Sequence, residues 1–310
     1  MKKILVLGAS SFIGAHFCKT AKKKYDIIPL IRNKKKSKNY FLKLNPDLKK
    51  KIVIYKGIND LKVIKKILNN QINFVINFSA YGVLFKSGNN ILNFYNINFL
   101  SVIKLVELFK FCKIERYVHI GTVSELQLSK KNPSYFINNY SKNHYALSKL
   151  FASIYIENIV DKIKIPVNIV TLFPVFGPYE NKYKLIPYVI KNLKMKKEVY
   201  LTSGKQKRYY AYVDDVVERL IVIISKKNNK NKNFFILGDN FLSIKKFILK
   251  ICKILKLNTK LLKWNSISRP DENINYPKII KNYKNINIIK IKKNINDSIH
   301  KLGKFYIDKK

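Results

Sequence analysis

The stretch Gly8 to Gly14, GASSFIG, follows at once on the apolar run Ile4 to Leu7 and leads into Ala15, Phe17, Cys18 and Ala21 at helical spacing. That succession leaves the backbone few choices. The run Lys3 to Leu7 is too short for a helix and reads as a buried parallel strand. Glycine then permits a tight turn, and the helix that opens at Phe12 turns its first amide groups outward. Free N–H groups and the helix dipole both favour an anion there, so the stretch reads as a turn that cradles a pyrophosphate. A secretion signal would also begin with Lys2, Lys3 and an apolar segment. Gly8, Ser10 and Ser11 break that segment, and no turn or linker parts it from the helix. The strand, turn and helix reading is therefore preferred.

The pattern continues. Ile27 to Ile31, Ile52 to Tyr55, Phe74 to Phe78, Tyr117 to Ile120 and Val167 to Phe173 read as strands, with helices such as Asn98 to Cys112 and Tyr145 to Val160 between them. Such alternation implies right-handed crossovers and a sheet covered on both faces, an α/β fold with a doubly wound, Rossmann-type parallel sheet. A strand at Asn233 to Leu237 is expected to return to it. Residues 1–178 are assigned to the sheet domain. Residues 179–214 and 240–310, less regular and proline-bearing, are assigned to a smaller substrate-binding lobe over the strand C-termini, where such sheets bind ligands. The pair Asp214 and Asp215 reads as a helix N-cap, not a metal site.

Charge gives a weaker signal than its size suggests. Lys and Arg total 62 against 18 Asp and Glu, a formal +44. Lysine is spread with asparagine and isoleucine over nearly every exposed segment, so the charge reads as compositional, and no specific nucleic acid is expected. Such a surface still binds polyanions nonspecifically at low salt. Arginine, by contrast, occurs only as Arg32, Arg116, Arg208, Arg219 and Arg269. These are the places to look for a planar fork on phosphate or carboxylate. The three cysteines are far apart and suggest neither disulfides nor zinc, which fits a reducing cytoplasm. No uninterrupted apolar run reaches the roughly 18 residues of a membrane span. His119 and His144 lack partners at ligand spacing and read as structural.

Three further segments carry chemistry. VINFSAYG, Val75 to Gly82, ends a strand in small residues, as a backbone close to a flat cofactor requires. VHIGTVSE, Val118 to Glu125, ends a strand in hydroxyls, and YALSK places Tyr145 and Lys149 four apart on one helix face. An ammonium beside a phenol favours phenolate, so the pair is expected to lower the Tyr145 pKa and to pass a proton to or from a sugar hydroxyl near neutral pH.

With these segments in order, the chain resembles the extended short-chain dehydrogenase/reductases, the NAD-dependent epimerase/dehydratases of nucleotide sugars. The pieces are GASSFIG, VINFSA, NFLSVIKLVEL, VHIGTVSE, YALSK, VFGPYENKYKLIPYVI, LTSGKQKRYYAYVDDVV and SRPDE. The resemblance implies Tyr145 as acid/base, Lys149 on the nicotinamide ribose, and Thr122 on the reacting oxygen, with Ser124 as the alternative hydroxyl. It implies a cofactor held by Gly8, Ser10, Ser11, Phe12, Ile13, Gly14, Arg32, Ile58, Phe78, Ser79, Ala80, Asn98 and Lys149. Arg208 and Arg269 would grip the diphosphate, and Glu272 a ribose or base hydroxyl. No metal is implied. Arg32 stands where an NAD enzyme often places an acid, which suits the 2'-phosphate of NADP, with NAD as the alternative.

The implied activity is hydride transfer at C4 of a nucleoside-diphosphate sugar, by a 4-epimerase or a 4-keto reductase, in a cytoplasmic protein that a homodimer would suit. A dehydratase is less favoured, because Val123 and Ser124 stand where that branch has Asp-Glu. The competing class is a noncatalytic dinucleotide-binding protein with a basic face for nucleic acid or a partner. Leu126 and Gln127 in place of Tyr-Gly, Gly57, Thr171, Pro174 and Tyr209 depart from the family pattern and leave the substrate open.

Overall fold

The computed structural model describes residues 1–32, 35–55, 60–82, 90–128, 143–163, 165–227, 231–268, 276–281, 283 and 285–307. Each continuous apolar run becomes a strand: β1 (Lys3–Leu7), β2 (Asp26–Arg32), β3 (Val53–Tyr55), β4 (Phe74–Asn77), β5 (Arg116–Thr122) and β6 (Val167–Leu172). These six pair in parallel, in the order β6-β5-β4-β1-β2-β3. The strands Asn233–Gly238 and Ile286–Ile291 extend the β6 edge to make eight. The strand order reverses between β1 and β4, which is the topological switch of a doubly wound sheet, the expected fold.

Helices α1 (Phe12–Ala21), α2 (Lys35–Leu44) and α3 (Leu61–Leu68) connect the strands on one side of the switch. On the other side α4 (Ile91–Tyr95) continues through a π turn, Asn96–Leu100, into α5 (Ser101–Phe109), and α6 spans His144–Ile159. Leu5, Val75, Tyr117, Val102, Leu105, Phe109 and Ile156 pack in one buried cluster. Sequence reading started the α4–α5 helix at Asn98, seven residues late. Asn90 starts it instead, its side chain accepting the Leu92 amide. The stretch Ile91–Phe109 is 19 residues long with mean hydropathy 1.3, so it passes the length and composition test for a span that was expected to find nothing. Phe94, Val102, Leu105, Val106 and Phe109 on it are core residues.

The chain clusters into two compact units, one of residues 1–172, 217–235 and 285–287, the other of residues 173–216, 236–284 and 288–310. The second unit has its own core, in which Phe176, Ile190, Phe247, Ile251, Ile299 and Leu302 are buried together. Short strand pairs frame it: Val175–Phe176 beside Ala211–Tyr212, Lys207–Tyr209 beside Phe241–Ser243, and Val199–Tyr200 beside Leu262–Lys263. Asp214 and Asp215 lie inside the first turn of the helix Val213–Ser225 and are not its cap. Asp215 is buried there and ion-paired to Lys293 at 2.6 Å.

Candidate active site

The turn after β1 is built as a cradle. Gly8 has φ +69°, a conformation that L side chains rarely adopt, and a Cβ on it would lie 2.7 Å from the Ser79 nitrogen. A Cβ on Gly14 would lie 2.6 Å from the Gly8 carbonyl oxygen. The Ser11 amide donates to Gly8 O at 2.9 Å, and Ser11 Oγ caps α1 by accepting the Gly14 amide at 3.1 Å. Ser10 thus sits on the turn, and Phe12 and Ile13 open α1, where the helix itself supplies no acceptor for their amides. The end of β4 closes the other side: Phe78 N donates to Leu7 O at 2.9 Å and Ser79 N to Asn77 Oδ1 at 2.9 Å, with Ala80 next in the chain. Arg32 is exposed at the C-terminal end of β2, in register with Tyr55. Ile58 lies outside the described residues. This close-backed turn at a helix N-terminus fits a dinucleotide pyrophosphate.

The second cluster forms where β5 meets α6. Asn143 caps α6, its side chain accepting the Ala146 amide at 3.1 Å, which sets Tyr145 in the first turn. Tyr145, Lys149 and Ser153 then follow one another at i, i+4 and i+8 on one face. Thr122, the last residue of β5, has its side chain hydrogen-bonded to the Tyr145 phenol. Ser124 lies on the next turn, its amide donating to Thr122 Oγ1 at 3.4 Å. Lys149 is 2% exposed, and its Nζ donates to Ile120 O at 2.7 Å and bonds His119 Nε2 at 3.1 Å. An ammonium has no lone pair, so Nε2 is the acceptor and His119 is neutral with its proton on Nδ1. That Nδ1 faces Tyr117 Oη at 3.1 Å.

Glu125 and Ser153 complete the cluster, and the sequence reading had passed over both. Glu125 is 4% exposed. Its Oε1 accepts the Thr122 amide at 2.7 Å and its Oε2 accepts Ser153 Oγ–H at 2.7 Å. A signal existed for Ser153, the next step of the Tyr145 and Lys149 face. His119, read as structural, is bonded to Lys149.

Burial dominates the electrostatics. It pushes the Tyr145 phenol well above its ordinary value, the Glu125 carboxylate adds to that rise, and the Thr122 hydrogen bond opposes it. The expected lowering by Lys149 is not among the influences on the phenol. Burial pulls Lys149 down from 10.5 to about 8, against the opposing pull of Glu125. It raises Glu125 above the usual carboxylate range, countered chiefly by Lys149, and takes His119 far below ordinary imidazole. In this state Tyr145 carries its proton at neutral pH.

Other expected residues fall elsewhere. Asn98, on the π turn, spends its amide inside the fold: Oδ1 accepts Tyr81 N at 2.8 Å, and Nδ2 donates to Tyr81 O and Ser148 Oγ, each at 3.0 Å. Arg116 is buried, its guanidinium donating to the Ile223, Ile224 and Lys226 carbonyls. In the second unit the Arg208 guanidinium lies over the Tyr276 ring, 5.1 Å from its centroid, and Tyr209 packs on Phe173 and Phe241. Arg269 and Glu272 lie outside the described residues. Among the described residues no three His, Cys, Asp or Glu side chains gather as a metal site.

Comparison with known proteins bears on the fold and the family. CDP-abequose synthase of Salmonella muenchen is 31% identical over 235 residues, 74% of this chain and 72% of that protein. A dTDP-D-glucose 4,6-dehydratase of Dictyostelium discoideum is 27% identical over 258 residues, and the match spans 78% of this chain but only 59% of the relative. The crystal structure of UDP-glucuronic acid 4-epimerase from Bacillus cereus, in complex with UDP-glucuronic acid and NAD, superposes with a TM-score of 0.77 at 20% identity, over 99% of each chain. A family model matches residues 4–238, and on that match the chain belongs to the NAD dependent epimerase/dehydratase family.

Proposed function

We propose that the chain transfers hydride at C4 of a nucleoside-diphosphate sugar, and that it works as a 4-keto reductase in preference to a 4-epimerase. The observation that carries this reading is the Tyr145 phenol, bonded by Thr122, one helical turn from a buried Lys149, and raised by burial so that it holds its proton. A nicotinamide dinucleotide bound in the turn Gly8 to Gly14 supplies the hydride. With the hydride delivered to the carbonyl carbon, the Tyr145 O–H would pass its proton to the carbonyl oxygen to give the alcohol. Thr122 orients the same oxygen. Lys149, with two N–H groups engaged by Ile120 and His119, keeps a third for the nicotinamide ribose.

The cofactor is proposed to be NADP(H), on Arg32 at the end of β2, a position that suits a 2'-phosphate. The family's description argues for NAD, which is the other outcome of the test. Arg208 and Arg269 are proposed for the diphosphate and Glu272 for a nucleoside hydroxyl. Dehydration is the second reading, favoured by the dehydratase relative. Against it, Val123 and Ser124 offer no acid, and both Glu125 oxygens are engaged.

The test is a panel of UDP, CDP, GDP and dTDP sugars and their 4-keto forms, with NADH and NADPH, followed by absorbance and product mass. Reduction of a 4-keto sugar with loss of reduced cofactor supports the proposal. Loss of one water from an unoxidised sugar would install the dehydratase, and no turnover across the panel, with dinucleotide still bound, would favour a noncatalytic role.

A further inference from the structure

Glu125 does more than fill a core position. It sits on the 3-10 turn Val123–Leu128, and room for it exists because residue 121 is glycine: a Cβ there would lie 3.2 and 3.4 Å from its two oxygens. Burying a carboxylate is unfavourable unless donors and an opposite charge meet it. All of these are present, as the Thr122 amide, the Ser153 hydroxyl and the Lys149 ammonium.

We propose that Glu125 is a positioning residue of the site, fixing the end of β5 through the Thr122 amide and, when ionised, acting on Lys149 and Tyr145 as a counter-charge. The proposal rests on the reading of Tyr145 and Lys149 as the working pair. The groups facing Glu125 are few. From α6 come Lys149, Tyr145, Ser153 and the Glu157 carboxylate, which opposes its ionisation. From β5 comes the Thr122 amide, with His119 reached through Lys149, and Thr171 of β6 approaches the same glycine. Lys149 is thus the positive charge that answers it. Removing the carboxylate charge removes the influence that favours the ammonium and the one that opposes phenolate.

Two variants separate charge from hydrogen bonding. In Glu125→Gln the amide oxygen can still accept from Thr122, and the Ser153 hydroxyl can rotate to accept from the new NH2, so the bonds survive without the charge. Glu125→Asp keeps the charge and shortens the reach. The first readout needs no substrate: the pH at which Lys149 discharges, taken from the stability difference between proteins with Lys149 and with Lys149→Met, compared in wild type, Glu125→Gln and Glu125→Asp. Loss of the opposite charge should lower that pH by about one unit in Glu125→Gln, and Glu125→Asp should restore it. The second readout is the pH profile of turnover, whose alkaline limb should fall by the same amount, with kcat down about tenfold beyond the limb and KM within about twofold.

An unmoved Lys149 transition in Glu125→Gln overturns the proposal whatever the activity does. A moved transition with an unmoved rate profile shows the coupling but rejects Lys149 as a working group, and with it Glu125's part in the chemistry. Loss of the alkaline limb in Glu125→Asp but not in Glu125→Gln would also overturn it, since that pattern is hydrogen bonding without charge.

Discussion

Replacing Lys149 by methionine should make the stability difference between wild type and variant depend on pH in one direction only. Lys149 is 2% exposed, and folding lowers its pKa from 10.5 to about 8. At about 1.4 kcal/mol for each tenfold change in proton affinity, that drop is worth about 3 kcal/mol. Below pH 8 the lysine is protonated in both states, and the native state bears this penalty in full. Between about 8 and 10.5 the unfolded chain binds more protons, so stability rises with pH until the penalty is gone. Methionine has no such term. Unfolding midpoints in urea, followed by circular dichroism from pH 7 to pH 10, should show the wild type gaining about 2 to 3 kcal/mol on Lys149→Met.

The absolute difference at any one pH is not the test, because methionine leaves Ile120 O and His119 Nε2 without their donor, a cost of about 1–3 kcal/mol each. That cost does not change with pH. Two neighbours titrate. Glu125 loses its ammonium in the variant and its raised pKa rises further, and a raised carboxyl costs stability as pH increases, so its change runs in the same direction. Tyr145 is raised in both proteins without help from Lys149 and cancels. A difference flat to within about 0.5 kcal/mol, or one that falls with pH, would show that Lys149 is not desolvated in the folded protein and would remove the physical basis assigned to the pair.

Tyr145→Phe should lower turnover by about 10²- to 10⁴-fold with dinucleotide affinity unchanged; turnover within twofold of wild type would reject the acid role. Arg32→Ala should weaken NADPH and leave NADH alone in fluorescence titrations, and tighter NADH binding by wild type would assign NAD instead. Gly8→Ala forces a Cβ to 2.7 Å from backbone at φ +69° and should cost about 1–3 kcal/mol of stability together with most dinucleotide affinity, measured by unfolding and titration. Arg269→Lys should raise KM for the nucleotide sugar far more than it changes cofactor affinity, since lysine lacks the fork; equal kinetics at subsaturating substrate would leave Arg269 a surface cation.

How far the sequence carried each of these depends on how local its cause is. Gly8 and Gly14 were legible because one turn of backbone, with its positive φ and close neighbours, admits only glycine. Strands β1 to β6 were legible because a strand buried on both faces must be continuously apolar. The paired strands of the second unit were not, since Val175–Phe176 or Val199–Tyr200 are two residues long and carry no period. Their partners lie dozens of residues away. Asn98 entered only through the family resemblance, as a cofactor contact, and its π turn, which aims the amide at Tyr81 and Ser148, follows from a backbone register that spacing alone does not reveal.

Glu125 marks the same boundary within the site. A lone glutamate in a chain of 62 basic residues reads as a solvated surface charge. It is buried where Gly121 leaves space on β5 and Ser153, two turns beyond Tyr145 on α6, turns a hydroxyl toward it. Three segments must meet before its environment exists. At the phenol burial reverses the expected sign, and Glu125 adds to it. Lys149 alone would favour phenolate, which suits withdrawal of a proton from an alcohol. Burial with Glu125 at hand favours the phenol, which suits delivery to a ketone oxygen. An epimerase must do both within one turnover at nearly equal cost, whereas a reductase need only deliver and be refilled. Burial of the phenol, with the carboxylate beside it, therefore weighs toward reduction, and the carboxylate's share can be measured: Glu125→Gln should bring the two directions of the proton transfer closer together.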